Sequence, residues 1–328
     1  MMNINTMRLL VRDDGFADPP EHVKELWPCD EDGMTLFRVS TNCVFRFKES
    51  GAVRFLRLAH SSERETEEIR AELDFMKHLA DRGFPAVGPV SSNAGLPVED
   101  VHDNGEVFHG VVFERAPGKY VELEDMTDDM FREWGRGLGR LHKASQEFRS
   151  ARENARPTWE DHLRMAKAAI PEKDEDAHRL LSQLAEWQRS LPKDNESLGL
   201  IHYDYELDNL RWDGERFHVF DFDDCVYHWF ASDIARATGD VMELPEDEQE
   251  VKMGLFLEGY RDVKALNEKW DVEIPRFRKL SQLMKFARTL RSYLGVAPEN
   301  DPPWIAVMRT RHDAFLAKAR EEFAHESL

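Results

Sequence analysis

The chain has 328 residues, enough for two lobes with sizeable cores, and its 20 Phe and 8 Trp within an ordinary apolar fraction exclude wholesale disorder. Its 44 basic and 64 acidic residues leave a net charge of −20, which lacks the basic footprint that nucleic acid requires and suits an acidic soluble surface or a cationic ligand. Cys29, Cys43 and Cys225 are odd in number and show no C-x-x-C spacing, which argues against a disulfide framework or structural zinc and for a reducing compartment.

The first residues lack an apolar segment ahead of a cleavage site, and no run reaches bilayer length. Residues 1–33 therefore read as an N-terminal extension of a cytoplasmic protein without a membrane partner. Three strands follow, Thr35–Ser40, Cys43–Phe47 and Val53–Leu58, separated by turns at Ser40-Thr41-Asn42 and Glu49-Ser50-Gly51. A helix with an acidic first turn opens at Ser61–Glu65, buries Ile69, Leu73, Met76 and Leu79 at helical spacing, and ends at Gly83-Phe84-Pro85. Val107–Phe113 reads as a buried strand that Ala116-Pro117-Gly118 terminates. Helices dominate beyond this boundary: Met130–His142, Trp159–Ala169, Ala177–Leu191, Ser232–Gly239, Glu246–Leu266, Arg276–Leu294 and Trp304–Ala324. Strands segregated from helices indicate an α+β protein.

Between the helices lie two short apolar runs, Leu200–Trp212 and Val219–Asp224, divided by a turn at Asp213-Gly214. They present Asp204, Asn209 and Asp221 at strand ends. The spacing His-x-Asp-x-x-x-x-Asn, followed by an Asp on the next strand, matches the kinase catalytic loop and its metal-binding Asp. In that chemistry Asp204 is the base towards an acceptor hydroxyl, and Asn209 and Asp221 offer hard oxygens to Mg²⁺. His202 suits a structural support that hydrogen-bonds backbone near the loop, and Asp233 caps its helix or ties the loop down. Turn preference alone would account for Asp204, Asp208 and Asn209, but not for Asp221 after an apolar strand. Phe220–Asp224 also echoes the D-x-D signature of dehalogenase-type phosphatases, yet it comes late and too little strand-forming sequence follows. A non-catalytic binding module is the remaining class.

With those residues in view, the chain resembles the aminoglycoside phosphotransferase and choline kinase family. The resemblance spans most of residues 34–294. It is carried by Ile201–Asp204 with Asn209, Val219–Asp224, Ser232–Ala235, Glu72-Leu73, Val112–Gly118 and Gly135–His142. It is nearest to the bacterial branch of homoserine kinase-like, spore-coat kinase-like and stress-response Ser/Thr kinase-like proteins. The resemblance implies a bilobal, protein-kinase-like enzyme using ATP and Mg²⁺. Residues 34–116 would form a small antiparallel-sheet N-lobe with one main helix, which binds nucleotide. Residues 117–328 would form a larger, mostly helical C-lobe with the catalytic loop and acceptor site. Adenine would bind at the connector around Glu114 and Ala116. Arg57 stands where the family usually places a Lys, with Glu72 as its partner, and no G-x-G-x-x-G precedes it, so the turn at Asn42 would cover the phosphates.

The acceptor implied is a hydroxyl of a small molecule, with a protein Ser/Thr as runner-up, and the two departures leave a pseudokinase open. Acidic Glu206, Asp208 and Asp224 suit a positively charged acceptor, and Tyr227, His228 and Trp229 offer an aromatic wall beside it or, alternatively, lobe packing. Nothing in the pattern specifies an oligomeric state.

Overall fold

The computed structural model describes residues 1–152, 154–296 and 301–325. Its first lobe is built on an antiparallel sheet of β1 (Thr35–Val39), β2 (Cys43–Glu49), β3 (Ala52–His60), β4 (Pro89–Val90), β5 (Glu99–Asp103) and β6 (Glu106–Glu114). The order is β1-β2-β3-β6-β4, with β5 also paired to β6. Alternation along β3 sends Leu56 and Leu58 to one face and Arg57 and Ala59 to the other. The first face packs on the N-terminal segment, which contains α1 (Ile4–Leu10) and α2 (Val23–Leu26), through Leu10, Val23 and Trp27. The second face receives α3 (Thr66–Ala80), whose Ile69, Leu73, Phe75, Met76 and Leu79 belong to the core of the helical lobe. The cap of α3 is Glu65 in a reciprocal box with Glu68, four residues later than the expected start at Ser61, because a carboxylate serves that role as well as a hydroxyl.

The second lobe comprises α4 (Asp128–Glu147), α5 (Trp159–Ala169), α6 (Glu175–Ser190), α7 (Phe230–Ala237), α8 (Glu246–Arg261), α9 (Lys269–Ser292) and α10 (Pro303–His325). Two small sheets flank the loops of residues 202–209 and 220–225: β7 (Leu198–Ile201) with β10 (Val226–Trp229), and β8 (Leu210–Trp212) with β9 (Phe217–Val219). Glycines set how closely α4 and α8 approach. A Cβ at Gly135 would stand 1.9 Å from the Phe256 carbonyl oxygen, and one at Gly259 would stand 1.9 Å from that of Arg132. This close pairing explains Gly135 and Gly139, whereas a Cβ at Gly137 would meet the Tyr205 hydroxyl instead. The lobes join through 115–119, where Lys119 and Trp212 exchange backbone hydrogen bonds of 2.9 and 2.8 Å.

Candidate active site

The loop of residues 202–209 leaves β7 and is held by a buried carboxylate. Asp233, on α7, accepts the N–H groups of His202 (3.0 Å, to Oδ2) and Tyr203 (2.8 Å, to Oδ1). His142 adds a third bond from Nε2 at 3.0 Å, and its Nδ1 accepts the Tyr260 hydroxyl at 2.8 Å. Burial alone would raise the Asp233 carboxyl, but these donors outweigh it and hold the group below the usual carboxylate range. His142 is itself lowered by burial, so the pair is an ionised Asp233 facing a neutral imidazole. Of the two roles expected for Asp233, tethering the loop is the one present; Trp229 occupies the N-cap.

His202 is the second fastener. Its Nδ1 accepts the Asp204 N–H at 3.2 Å, and its Nε2 donates to the Phe220 carbonyl at 3.1 Å, which binds the 202–209 loop to the segment that carries Asp221. Burial lowers its pKa and keeps it neutral. Beyond it, Tyr203 (φ 66°) and Asp221 (φ 64°) adopt left-handed backbone, a sparsely populated state for such residues that re-aims the chain where the functional groups sit. Phe222, 0% exposed, anchors the strained turn between His202 and Phe75, with ring centroids 4.4 and 6.1 Å away.

Asp204 is half-buried, with both carboxylate oxygens engaged. Asn209 Nδ2 donates to Oδ2 at 2.8 Å, and Arg236 Nη2 donates to Oδ1 at 3.0 Å. Because the Asn209 amide nitrogen is committed to Asp204, its carbonyl oxygen is the atom left to meet a cation. Asp221 opens onto the interlobe cleft. Lost hydration and the carboxylates of Asp223, Asp204 and Glu72 push its carboxyl up to about 7 against the pull of Arg57. One side of the residue borders the cleft, and lost hydration and the crowded carboxylates act in the same direction on it. Among the described residues, no three His, Cys, Asp or Glu cluster as a complete metal cage. Two protein oxygens, the remaining ligands coming from phosphate and water, is the pattern Mg²⁺ accepts.

Arg57 and Glu72 form a bidentate, buried ion pair, Nη1–Oε1 2.9 Å and Nη2–Oε2 2.7 Å, joining β3 to α3. The cleft, of about 500 Å³, is lined by Arg57, Asn209 and Asp221 together with Phe113, Glu114 and Ala116, the Arg57 guanidinium lying 5.1 Å from the Phe113 ring centroid. The expected connector residues and metal pair therefore share one cavity. Asn42 lies apart from it: the side chain is buried and donates to Asp223 Oδ2 at 3.1 Å, fastening the β1–β2 turn to the opposite lobe.

Two expected acceptor residues are placed otherwise. Trp229 is 0% exposed, packs on Trp159 and Phe277, and donates Nε1 to the Pro192 carbonyl at 2.6 Å; it is core, not a binding wall. Asp224 accepts from Arg64 at 3.1 Å and Arg288 at 2.5 Å, so its charge is already neutralised; burial works against its ionisation, but the two arginines hold the carboxyl well below the usual range. Asp223 is likewise committed, to Arg64 at 3.1 Å and Asn42; burial opposes ionisation, yet Arg64 and Arg57 bring it down to about 2. Asp208 remains exposed on the 3₁₀ turn before β8. The residue that sequence reasoning missed is Arg236; its only local signal is a position three after Asp233, on the same face of α7.

An antiparallel-sheet lobe over a helical lobe, with Arg57, Asn209 and Asp221 lining the interlobe cleft and Asp204 hydrogen-bonded to Asn209, is the arrangement of a phosphotransferase of protein-kinase-like fold. The chain belongs to the phosphotransferase enzyme family APH, whose model matches residues 38–266. Among relatives, the amicoumacin kinase of Bacillus subtilis is 29% identical over 265 residues, 77% of this chain and 79% of that protein. A homoserine kinase of Methylobacillus flagellatus is 29% identical over 209 residues, 62% of each chain, so the expected kinship with homoserine kinases is present. The solved structure of an amicoumacin kinase in complex with AMP-PNP, Ca²⁺ and Ami superposes with a TM-score of 0.80 at 25% identity, covering 92% of this chain and 91% of that one. No described helix is long and apolar enough to cross a membrane.

Proposed function

We propose that the protein transfers the γ-phosphoryl group of ATP to a hydroxyl of a small, amine-bearing molecule. The observation that carries this reading is the one cleft that connector residues Glu114–Ala116, Arg57, Asn209 and Asp221 line together, with Glu72 behind Arg57 and Asp204 bonded to Asn209. Residues 34–116 supply the nucleotide's walls, with the backbone at Glu114–Ala116 against adenine and Arg57 towards the phosphates. Asn209 and Asp221 hold Mg²⁺, which when bound neutralises and orients the phosphates. Asp204 takes the acceptor's hydroxyl proton as its oxygen bonds to phosphorus; the bond from the γ-phosphorus to the bridging oxygen breaks, and ADP departs with that electron pair. Asn42 acts indirectly, by holding the turn down on Asp223.

A cationic acceptor is supported by the loop's chemistry. Glu206, three residues before Asn209, is only loosely paired to Arg236, at 3.4 Å, and burial with Asp204 and Asp240 pushes it up to about 7, so a neighbouring ammonium would favour its charged form. Homoserine, after which one relative is named, carries an ammonium group near its hydroxyl. Exposed Asp208 lies on the same loop and adds to the field. Three free cysteines and an ATP requirement suit the cytoplasm.

The test is ADP release from Mg·ATP with homoserine, ethanolamine and 1-aminopropan-2-ol beside their deaminated counterparts, products being identified by mass spectrometry. Turnover confined to amino alcohols is expected. Phosphorylation of seryl peptides alone would make this a protein kinase, and nucleotide binding without transfer to any acceptor would make it a binding module.

A further inference from the structure

Asp233 and Arg236 lie one helical turn apart on α7 and grip the catalytic loop with opposite chemistry. Asp233 takes the loop's N–H groups at 202 and 203, whereas Arg236 donates Nε to the Tyr203 carbonyl. Its Nη2 reaches Asp204 Oδ1 at 3.0 Å and Glu206 Oε1 at 3.4 Å, and the guanidinium lies 4.4 Å from the Tyr203 ring centroid. Asn209 holds the other oxygen of Asp204. A carboxylate on a loop otherwise turns freely about two side-chain bonds; here a bond on each oxygen removes that freedom.

Resting on the function proposed above, we infer that Arg236 is a positioning residue for phosphoryl transfer, orienting Asp204 so that a remaining lone pair faces the acceptor hydroxyl. The planar fork is needed because three separate oxygens, on Tyr203, Asp204 and Glu206, are served by one side chain. Arg288, whose guanidinium lies 5.3 Å from the opposite partner of this cluster, the Tyr203 ring, does not substitute for it: its hydrogen bonds go to Asp224 and His162.

Arg236→Ala and Arg236→Lys, compared with wild type, test this with homoserine and 1-aminopropan-2-ol as probes. A misplaced reacting group costs on the order of 100-fold, so kcat should fall by about that factor in Arg236→Ala while KM for ATP stays within about twofold. Arg236→Lys, which keeps the charge but not the fork, should fall by roughly tenfold. Added methylguanidinium should restore part of the lost turnover in Arg236→Ala. Crystals of either variant should show the Asp204 carboxylate displaced from Asn209 with α7 in place. An unchanged kcat in a variant of an active enzyme, or an Asp204 that has not moved in the variant crystal, overturns the inference. Wild-type protein inactive towards every acceptor would count against the phosphotransfer reading, while the crystallographic comparison still decides the role of Arg236.

Discussion

Replacing Arg57 with Met strands the Glu72 carboxylate, which is 0% exposed and receives both guanidinium nitrogens at 2.9 and 2.7 Å. Surface ion pairs contribute only ~0–1 kcal/mol, but breaking a buried pair costs ~3–5 kcal/mol because the surviving charge stays desolvated. At ~2–4 °C per kcal/mol for a domain of 150–250 residues, that is a fall in Tm of about 6–20 °C. The double substitution Arg57→Met/Glu72→Leu replaces the pair by apolar side chains and should recover most of the loss, to within about 2 kcal/mol of wild type. Urea unfolding followed by Trp fluorescence gives the three free energies. Single losses below about 1 kcal/mol that simply add in the double variant would show that the pair does not hold α3 to the sheet. Fluorescent ADP binding to the refolded double variant separates the other role: if Arg57 also reaches the phosphates, affinity stays low although stability has returned.

Asp221→Asn addresses the proposed metal pair through pH. In metal-free protein the native Asp221 carboxyl sits near 7, so the folded state keeps a proton that the unfolded chain releases near pH 4, and ionising it costs stability as pH rises through that window. The Asn variant should therefore be more stable than wild type at pH 8, with the gap closing towards pH 4 and reversing when Mg²⁺ and nucleotide are added; a gap independent of pH would contradict the assignment. Asp233→Ala leaves three buried donors without their acceptor and should lower stability by about 3 kcal/mol or more and abolish turnover; a folded variant with normal turnover would refute the tether. Trp229→Ala should destabilise by ~3–5 kcal/mol as a core truncation, with little change in acceptor KM at temperatures where it remains folded.

The parts of the site legible in the sequence are those whose geometry is local. Asp204 and Asn209 share one turn, and Asp221 follows one short hairpin, so spacing nearly fixes their convergence. The Arg57–Glu72 pair was readable from a strand followed by an amphipathic helix, since alternation decides which face of β3 meets α3. Asp224 was misjudged because its arginine partners come from residues 64 and 288, remote contacts that spacing does not reveal. Of the two readings open for Trp229, packing is the one present, and spacing could not decide it because burial depends on α5 and α9 closing over β10. Among the elements, β5 was invisible because Val101 is its one buried residue, and α1 because seven residues give too little periodicity. Arg236 went unread because its target lies on another segment, although its phase with Asp233 was there to be seen.

The central claim is that Asp204 acts on the acceptor within a cleft that binds nucleotide independently of it. Radiolabel transfer from γ-labelled ATP to an amino alcohol, measured beside nucleotide affinity in wild type and Asp204→Ala, tests it most directly. Loss of a general base costs about 10²–10⁴-fold, so transfer should fall by that factor while affinity for Mg·ATP stays within about twofold. Transfer by Asp204→Ala at the wild-type rate would contradict the account.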